Sequence, residues 1–165
     1  MEFQVGDKVV YPSQGVAVVE SVSDEELAGT SMRCYTLKLI ASDSLVMVPV
    51  NNSDRVGLRA LTDAGEVSRV MKRLRTSDAD EAHDWKDRYR ANLDRIKTGD
   101  LEEIVDVLLC LAEVSSRKSL SFRERKMFDH ARQLLVVEVS QVEARPMEEI
   151  EAEVDRALEQ QAETS

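Results

Sequence analysis

The sequence predicts an α+β chain of two domains: a small, curved β-sheet or barrel, followed by an all-α domain of about five helices. Three observations carry this. Up to about residue 50 the chain runs in short apolar stretches broken by turn residues, with apolar and polar positions alternating in places. Beyond about Leu61 the apolar spacing becomes that of helices. In the same region an acceptor residue is followed three positions later by an acid again and again, which is capping-box spacing.

The strands come first. VGDKVVYP, GVAVVESV, MRCYTLKLI and SLVMVPV are the candidate runs. Tyr35, Leu37 and Leu39 alternate with Thr36 and Lys38, and Leu45, Met47 and Pro49 alternate with Val46, Val48 and Val50. Pro49 has no N–H for a ladder hydrogen bond, so the strand through Met47 should lie at a sheet edge or end there. An exposed edge bearing apolar side chains is a docking surface. The boundary between the halves is expected within residues 57–64, GLRALTDA, giving a β domain over 1–60 and a helical domain over 64–162.

Helix starts are expected at Asp63 with Glu66, Ser77 with Asp80, Asp100 with Glu103 and Ser121 with Glu124, each cap contributing about 1 kcal/mol. Val67, Val70, Met71 and Leu74 form one stripe on the first helix. The helix after Asp100 is apolar nearly all round, with Leu101, Ile104, Val105, Val107, Leu108, Leu109 and Leu111, so it should be the buried centre. Phe122, Leu134, Leu135 and Val139 are assigned to the apolar side of a later, longer helix. Pro146 suits the first turn of a last helix whose stripe is Met147, Ile150, Val154 and Leu158, and the final QAETS should fray.

The net charge of -10 is unevenly spread: -4 over residues 1–65, 0 over 66–141 and -6 over 142–165. An acidic total argues against indiscriminate binding along nucleic acid, whose affinity comes mostly from phosphate neutralisation. A local basic face remains compatible with it. Cys34 and Cys110 are too few and too far apart for a disulfide framework or a zinc site, so both are expected as free thiols in a reducing cytoplasm. The start MEFQVGDKVV shows no secretory leader pattern, and no run approaches the roughly 18 apolar residues of a membrane span. A cytoplasmic protein is expected.

The stretch DWKDRYRANLDRIKTGD, residues 84–100, holds the single tryptophan among clustered cations. On a helix, Trp85, Tyr89, Leu93 and Ile96 fall within about 80° of arc, flanked by Lys86, Arg90 and Lys97 on one side and Arg88 and Arg95 on the other. Asp87 and Asp94 occupy the back. Two readings are open. Trp85 is a core residue with Lys and Arg stems lying along the edge of a buried stripe, or it is an indole at the rim of a basic face, able to wedge beside a base while cations hold phosphates. Pattern alone favours the first.

No constellation supports catalysis. Ser115 and Lys118 match an S-x-x-K spacing without that chemistry's companion motifs. Asp129 and His130 point about 100° apart on a helix and have no paired nucleophile, and His83 has no second ligand at metal spacing. There is no glycine-rich phosphate loop after a strand. Neither an enzyme, nor a metal, nor a cofactor is expected.

VGDKVVYPSQGVAVV, then VPVNNSDRVGLR, then the tryptophan followed by RYR and KTGD, then LSFRERKMFDHARQLL, resemble in collinear order the CarD/CdnL family of bacterial transcription regulators. The resemblance runs from about residue 3 to residue 142. It implies that the N-terminal half is an RNA-polymerase-interaction domain, a Tudor-like, SH3-like barrel shared with transcription-repair coupling factors, which contacts the polymerase β subunit. It implies that the helical half lies on promoter DNA at the upstream edge of the transcription bubble, near the upstream fork of the -10 element, with Trp85 as a minor-groove wedge.

Carried over by position, the polymerase contact falls on Val46, Met47, Val48 and Pro49. Relatives vary between arginine and apolar residues where Met47 stands, so the contact here should be hydrophobic. The DNA contact falls on Trp85, Lys86, Arg88 and Arg90, joined by Arg123, Arg125, Lys126 and Arg132. Relatives commonly carry two arginines after the tryptophan where this chain has Asp87 and Arg88, which exchanges a cation for an anion. Lys86, and Arg123 where relatives often have glycine, act in the opposite sense. The expectation is thus a monomeric regulator, carried to the nucleoid by polymerase, that stabilises the open promoter complex. The alternative is a polymerase-binding or other protein-interaction adapter that touches no DNA.

Overall fold

The structure, a computed structural model, describes the backbone of residues 2–76 and 85–164 and the side chains of residues 2–76 and 87–160. The Ser77 helix start and the fraying expected of QAETS rest on residues or side chains outside the described ones. The chain divides into two compact units, Met1–Leu61 and Thr62–Ser165.

The first unit is a five-stranded antiparallel sheet: β1 Lys8–Tyr11, β2 Gly15–Leu27, β3 Thr30–Leu39, β4 Leu45–Pro49 and β5 Arg59–Ala60, in the order β4-β3-β2-β1-β5. Alternation sets its core. Val9, Val19, Tyr35, Leu37 and Val48 are all buried, and Phe3 packs edge-on to Tyr35 with ring centroids 5.9 Å apart. The Phe3 backbone N–H donates to the Tyr35 hydroxyl at 3.0 Å, which satisfies a buried phenol. A bulge between Val19 and Ser21 shifts the β2–β3 register and bends the long hairpin.

Two of the sequence stretches singled out above meet in this unit. Gly57 has φ +81°, and a Cβ there would come within 3.1 Å of the Pro12 Cγ, so any other residue would be strained in backbone and crowded against Pro12. β2 and β3 turn at Ala28 and Gly29, both at positive φ, the backbone of a two-residue hairpin loop. Both cysteines are buried free thiols; burial raises the Cys34 thiol pKa, and Glu25 and Asp24 add to the shift.

The second unit holds five helices: α1 Ala64–Thr76, α2 Trp85–Thr98, α3 Leu101–Arg117, α4 Phe122–Glu143 and α5 Met147–Thr164. The α3 residues expected at the centre are all buried, Leu108 and Leu111 fully so. Against them pack Val67, Val70, Met71 and Leu74 of α1, Leu135 and Val139 of α4, and Ile150, Val154 and Leu158 of α5. α5 starts directly after Pro146, but Met147, assigned to its apolar stripe, is 37% exposed because it occupies the first helical position ahead of the packed turns.

Caps form at three of the expected starts, each with its own detail. Asp63 Oδ1 accepts from the Glu66 N–H at 2.7 Å, and Asp100 accepts from Glu102 rather than from Glu103. Ser121 Oγ accepts from the Glu124 N–H at 3.1 Å. The Glu124 carboxylate, which a capping box would turn back onto the N-cap, goes elsewhere.

Ion pairs tie the helices together at their edges. Arg73 of α1 reaches both Glu102 and Asp106 of α3. Arg145, after α4, pairs with Glu149 and Glu153 on α5. The Thr62 N–H, at the entry to this unit, donates to the buried Glu138 carboxylate of α4 at 3.0 Å. No helix among the described residues is long and apolar enough to cross a membrane, and no cluster of described His, Cys, Asp or Glu could hold a metal ion.

Candidate functional site

Two surfaces collect the residues singled out by sequence, one in each unit. In the β unit, β4 is an edge strand paired only along β3, with Tyr35 opposite Val48, Thr36 opposite Met47, Leu37 opposite Val46 and Lys38 opposite Leu45. The period of two divides the four expected contact residues. Val48 is 2% exposed and belongs to the core, because its partner Tyr35 faces inward. Val46 is half-buried against the same cluster.

Met47 faces out at 45% exposure, and Leu45, two residues earlier in the same phase, stands at 65%. Sequence reasoning passed over Leu45 although its phase with Met47 is readable. Pro49 is half-buried at the strand's end, where its missing N–H costs no ladder bond. The outward face of this edge is therefore Leu45 and Met47 beside Thr36 and the exposed Lys38.

In the helical unit the site is built from α2 and the first two turns of α4. The buried line on α2 is Arg88, Asn92 and Ile96, at four-residue spacing, with Tyr89 and Leu93 half-buried beside it. The inner face is thus rotated toward two polar residues that the apolar stripe omitted. Asn92 donates to the Cys110 sulfur of α3 at 3.5 Å and accepts from Arg95 at 3.0 Å.

Arg88 is 6% exposed and Glu124 of α4 is 3% exposed. They form a two-pronged pair, Nε to Oε2 at 2.8 Å and Nη2 to Oε1 at 3.0 Å. This corrects the expectation that Arg88 presents its guanidinium to phosphate: its fork is spent on a carboxylate inside the helical unit. Arg132 departs in a similar way, with Nε and Nη2 each 2.7 Å from the two Asp155 oxygens of α5 and a quarter of its side chain exposed.

Four of the expected cations do face solvent. Arg90, Arg123, Arg125 and Lys126 are exposed, and two of them lie on rings: the Arg123 guanidinium 4.4 Å from the Tyr89 centroid, and the Lys126 ammonium 4.6 Å from that of Phe122. Phe122, assigned by sequence to an apolar stripe, is 74% exposed. At about 100° per residue it lies about 120° from Leu134, in the first turn of α4, on the side away from the core. That angle was the signal that separates it from the core. Asp87 is exposed as well. The side chains of Trp85 and Lys86 lie outside the described residues.

Comparison with known proteins gives these surfaces a context. The family model described as CarD, C-terminal domain matches residues 69–155, and the one described as CarD-like/TRCF RID domain matches residues 3–62. A Bacillus subtilis (strain 168) protein named "Putative transcription factor YdeB" is 31% identical over 137 residues, covering 83% of this chain and 90% of that protein. Two solved structures are similar to the N-terminal third. The solution NMR structure of the 72-residue N-terminal domain of Myxococcus xanthus CarD is 36% identical, covers 36% of this chain and 79% of that one, and has a TM-score of 0.32. CdnLNt from Myxococcus xanthus is 38% identical, covers 37% and 86%, and also has a TM-score of 0.32. With both halves matched in order and one relative spanning most of its length, the chain belongs to the CarD/CdnL family of transcription regulators, whose N-terminal domain is an RNA-polymerase-interaction domain and which are not enzymes.

Proposed function

We propose that this chain binds the RNA polymerase β subunit through the outward face of β4 and stabilises the open promoter complex by contacting DNA at the upstream edge of the transcription bubble. The observation that carries the DNA half is the placing of exposed cations on aromatic rings, Arg123 over Tyr89 and Lys126 over Phe122, on helices that also expose Arg90 and Arg125. Cations on rings at an exposed surface suit a backbone groove with stackable faces. Trp85 supplies the wedge and Lys86 a further cation in this reading. The polymerase half rests on an edge strand that holds Leu45 and Met47 in water.

The mechanism is linkage. A protein that contacts polymerase and melted promoter together binds the open complex better than the closed one and raises its population. A difference of about 1.4 kcal/mol shifts that equilibrium tenfold. Docking on polymerase makes the DNA contact effectively intramolecular, so a monomer of net charge -10 needs only a modest basic face.

The test is the lifetime of the open complex on a promoter fragment challenged with competitor. Trp85→Ala and Arg90→Ala should each shorten it while polymerase binding persists. Met47→Asp should abolish polymerase binding with the helical unit still folded. An unchanged lifetime with folded Trp85→Ala overturns the wedge, and persistent binding by Met47→Asp moves the docking face.

One observation favours a second reading, an adapter that touches no DNA. Of the two positions where relatives carry arginines, 87 is an exposed anion and the guanidinium at 88 is committed to Glu124. A salt-dependent footprint upstream of the bubble, dependent on polymerase, separates the two.

A further inference from the structure

The Arg88–Glu124 pair joins the elements that carry the exposed cations, and its neighbours repeat the connection one residue along. On α2, Arg88 grips Glu124 and Tyr89 lies under the Arg123 guanidinium; on α4 those partners are adjacent. Arg90 follows two residues after Arg88 on one side, and Arg125 and Lys126 follow Glu124 on the other. A bidentate Arg–carboxylate pair is directional, fixing both distance and twist between the groups it joins. Glu124 is itself fixed, since its backbone N–H is held by Ser121 at the start of α4.

We propose that Arg88 and Glu124 are positioning residues for the DNA-contacting face: a buried lock that sets α2 against the start of α4, so that Arg90, Arg123 and Lys126 address one stretch of phosphate backbone. The inference rests on the DNA reading given above. It assigns to Arg88 a different role from that of a phosphate ligand, and to Glu124, an anion inside a basic region, a role that promotes DNA contact. Removing one partner leaves the other buried and uncompensated, so the lock fails from either side.

The sign of the Glu124 effect makes the test decisive. Full-length Glu124→Gln, with polymerase and a promoter fragment, removes a negative charge beside the cations; by electrostatics alone it should lengthen the open complex lifetime. Positioning predicts the opposite, a lifetime about tenfold shorter, with faster amide exchange across α2 and unchanged polymerase binding. Arg88→Ala should shorten the lifetime too, with the same faster amide exchange across α2 that marks a broken lock. Arg90→Ala should reduce the slope of log affinity against log salt by about 0.9, the loss of one phosphate contact.

Arg88→Met combined with Glu124→Leu removes both charges and refills the space without a directional pair, so the helical unit should stay folded while the lifetime stays short; a recovered lifetime would show that packing alone seats α2 and would overturn the lock. A longer or unchanged lifetime with Glu124→Gln, or unchanged amide exchange across α2 with Arg88→Ala, overturns the positioning role. If Arg90→Ala, Arg123→Ala and Trp85→Ala all leave the lifetime unchanged, the DNA reading itself fails. Exchange across α2 in Glu124→Gln then still reports whether the lock exists.

Discussion

α2 and α3 lie side by side in the helical unit and are held by opposite means. α3 buries ten residues and every one is apolar or a thiol. α2 buries Arg88 and Asn92 beside Ile96, and each of the two finds its partner on another helix. Apolar burial is strong and tolerant of direction, so it makes α3 a scaffold that many sequences could supply. Polar pairs are weaker in net terms but fail sharply when half removed, so they specify one seat for α2. The helix that carries the candidate DNA contacts is the one whose placement is specified instead of merely driven.

The contrast can be broken from the α3 side with the largest effect. Leu108→Ala should cost about 4 kcal/mol, because a fully buried leucine loses its transfer energy and leaves a cavity that the ring of helices cannot close. Urea denaturation followed by far-UV circular dichroism checks this, and the loss should appear as one cooperative shift of the helical transition. On the α2 side, Asn92→Ala should cost about 2 kcal/mol, by removing a fully buried amide that bridges Cys110 and Arg95. Hydrogen exchange should place that loss in α2 first, ahead of α3. Smallest is a gain: Ala144, which ends α4 in the left-handed region at φ +53°, should add about 1 kcal/mol when replaced by glycine, read as a raised melting temperature.

The same contrast explains what was legible in the sequence. The α3 core, the α1 stripe and the Ile150, Val154 and Leu158 line of α5 could be read because apolar periodicity is a local signal. Three caps could be read because acceptor and donor lie within one turn. Arg88 could not be placed, since its partner is 36 residues away and the helical projection put it on the flank of a stripe. Glu124 was misleading in a specific way: its spacing from Ser121 fits a capping box, yet its carboxylate serves α2. In the β unit, alternation alone separates Met47 from Val48, and only the pairing of Val48 with Tyr35 says which of them faces in. Phe122 differs in kind: it is apolar, but its helical angle, about 120° from Leu134, sets it outside the core stripe.

The edge strand β4 carries a consequence for the chain by itself. Leu45 and Met47 stay in water, and an uncovered strand edge is a template for any extended chain, including a second copy. Two features limit growth from it: the strand is five residues long, and it ends in Pro49, which offers no N–H to an incoming strand. The apolar residues proposed for docking thus bear on self-association as well. The chain's net charge of -10 favours repulsion between copies, and added salt weakens that repulsion while leaving the apolar edge unchanged.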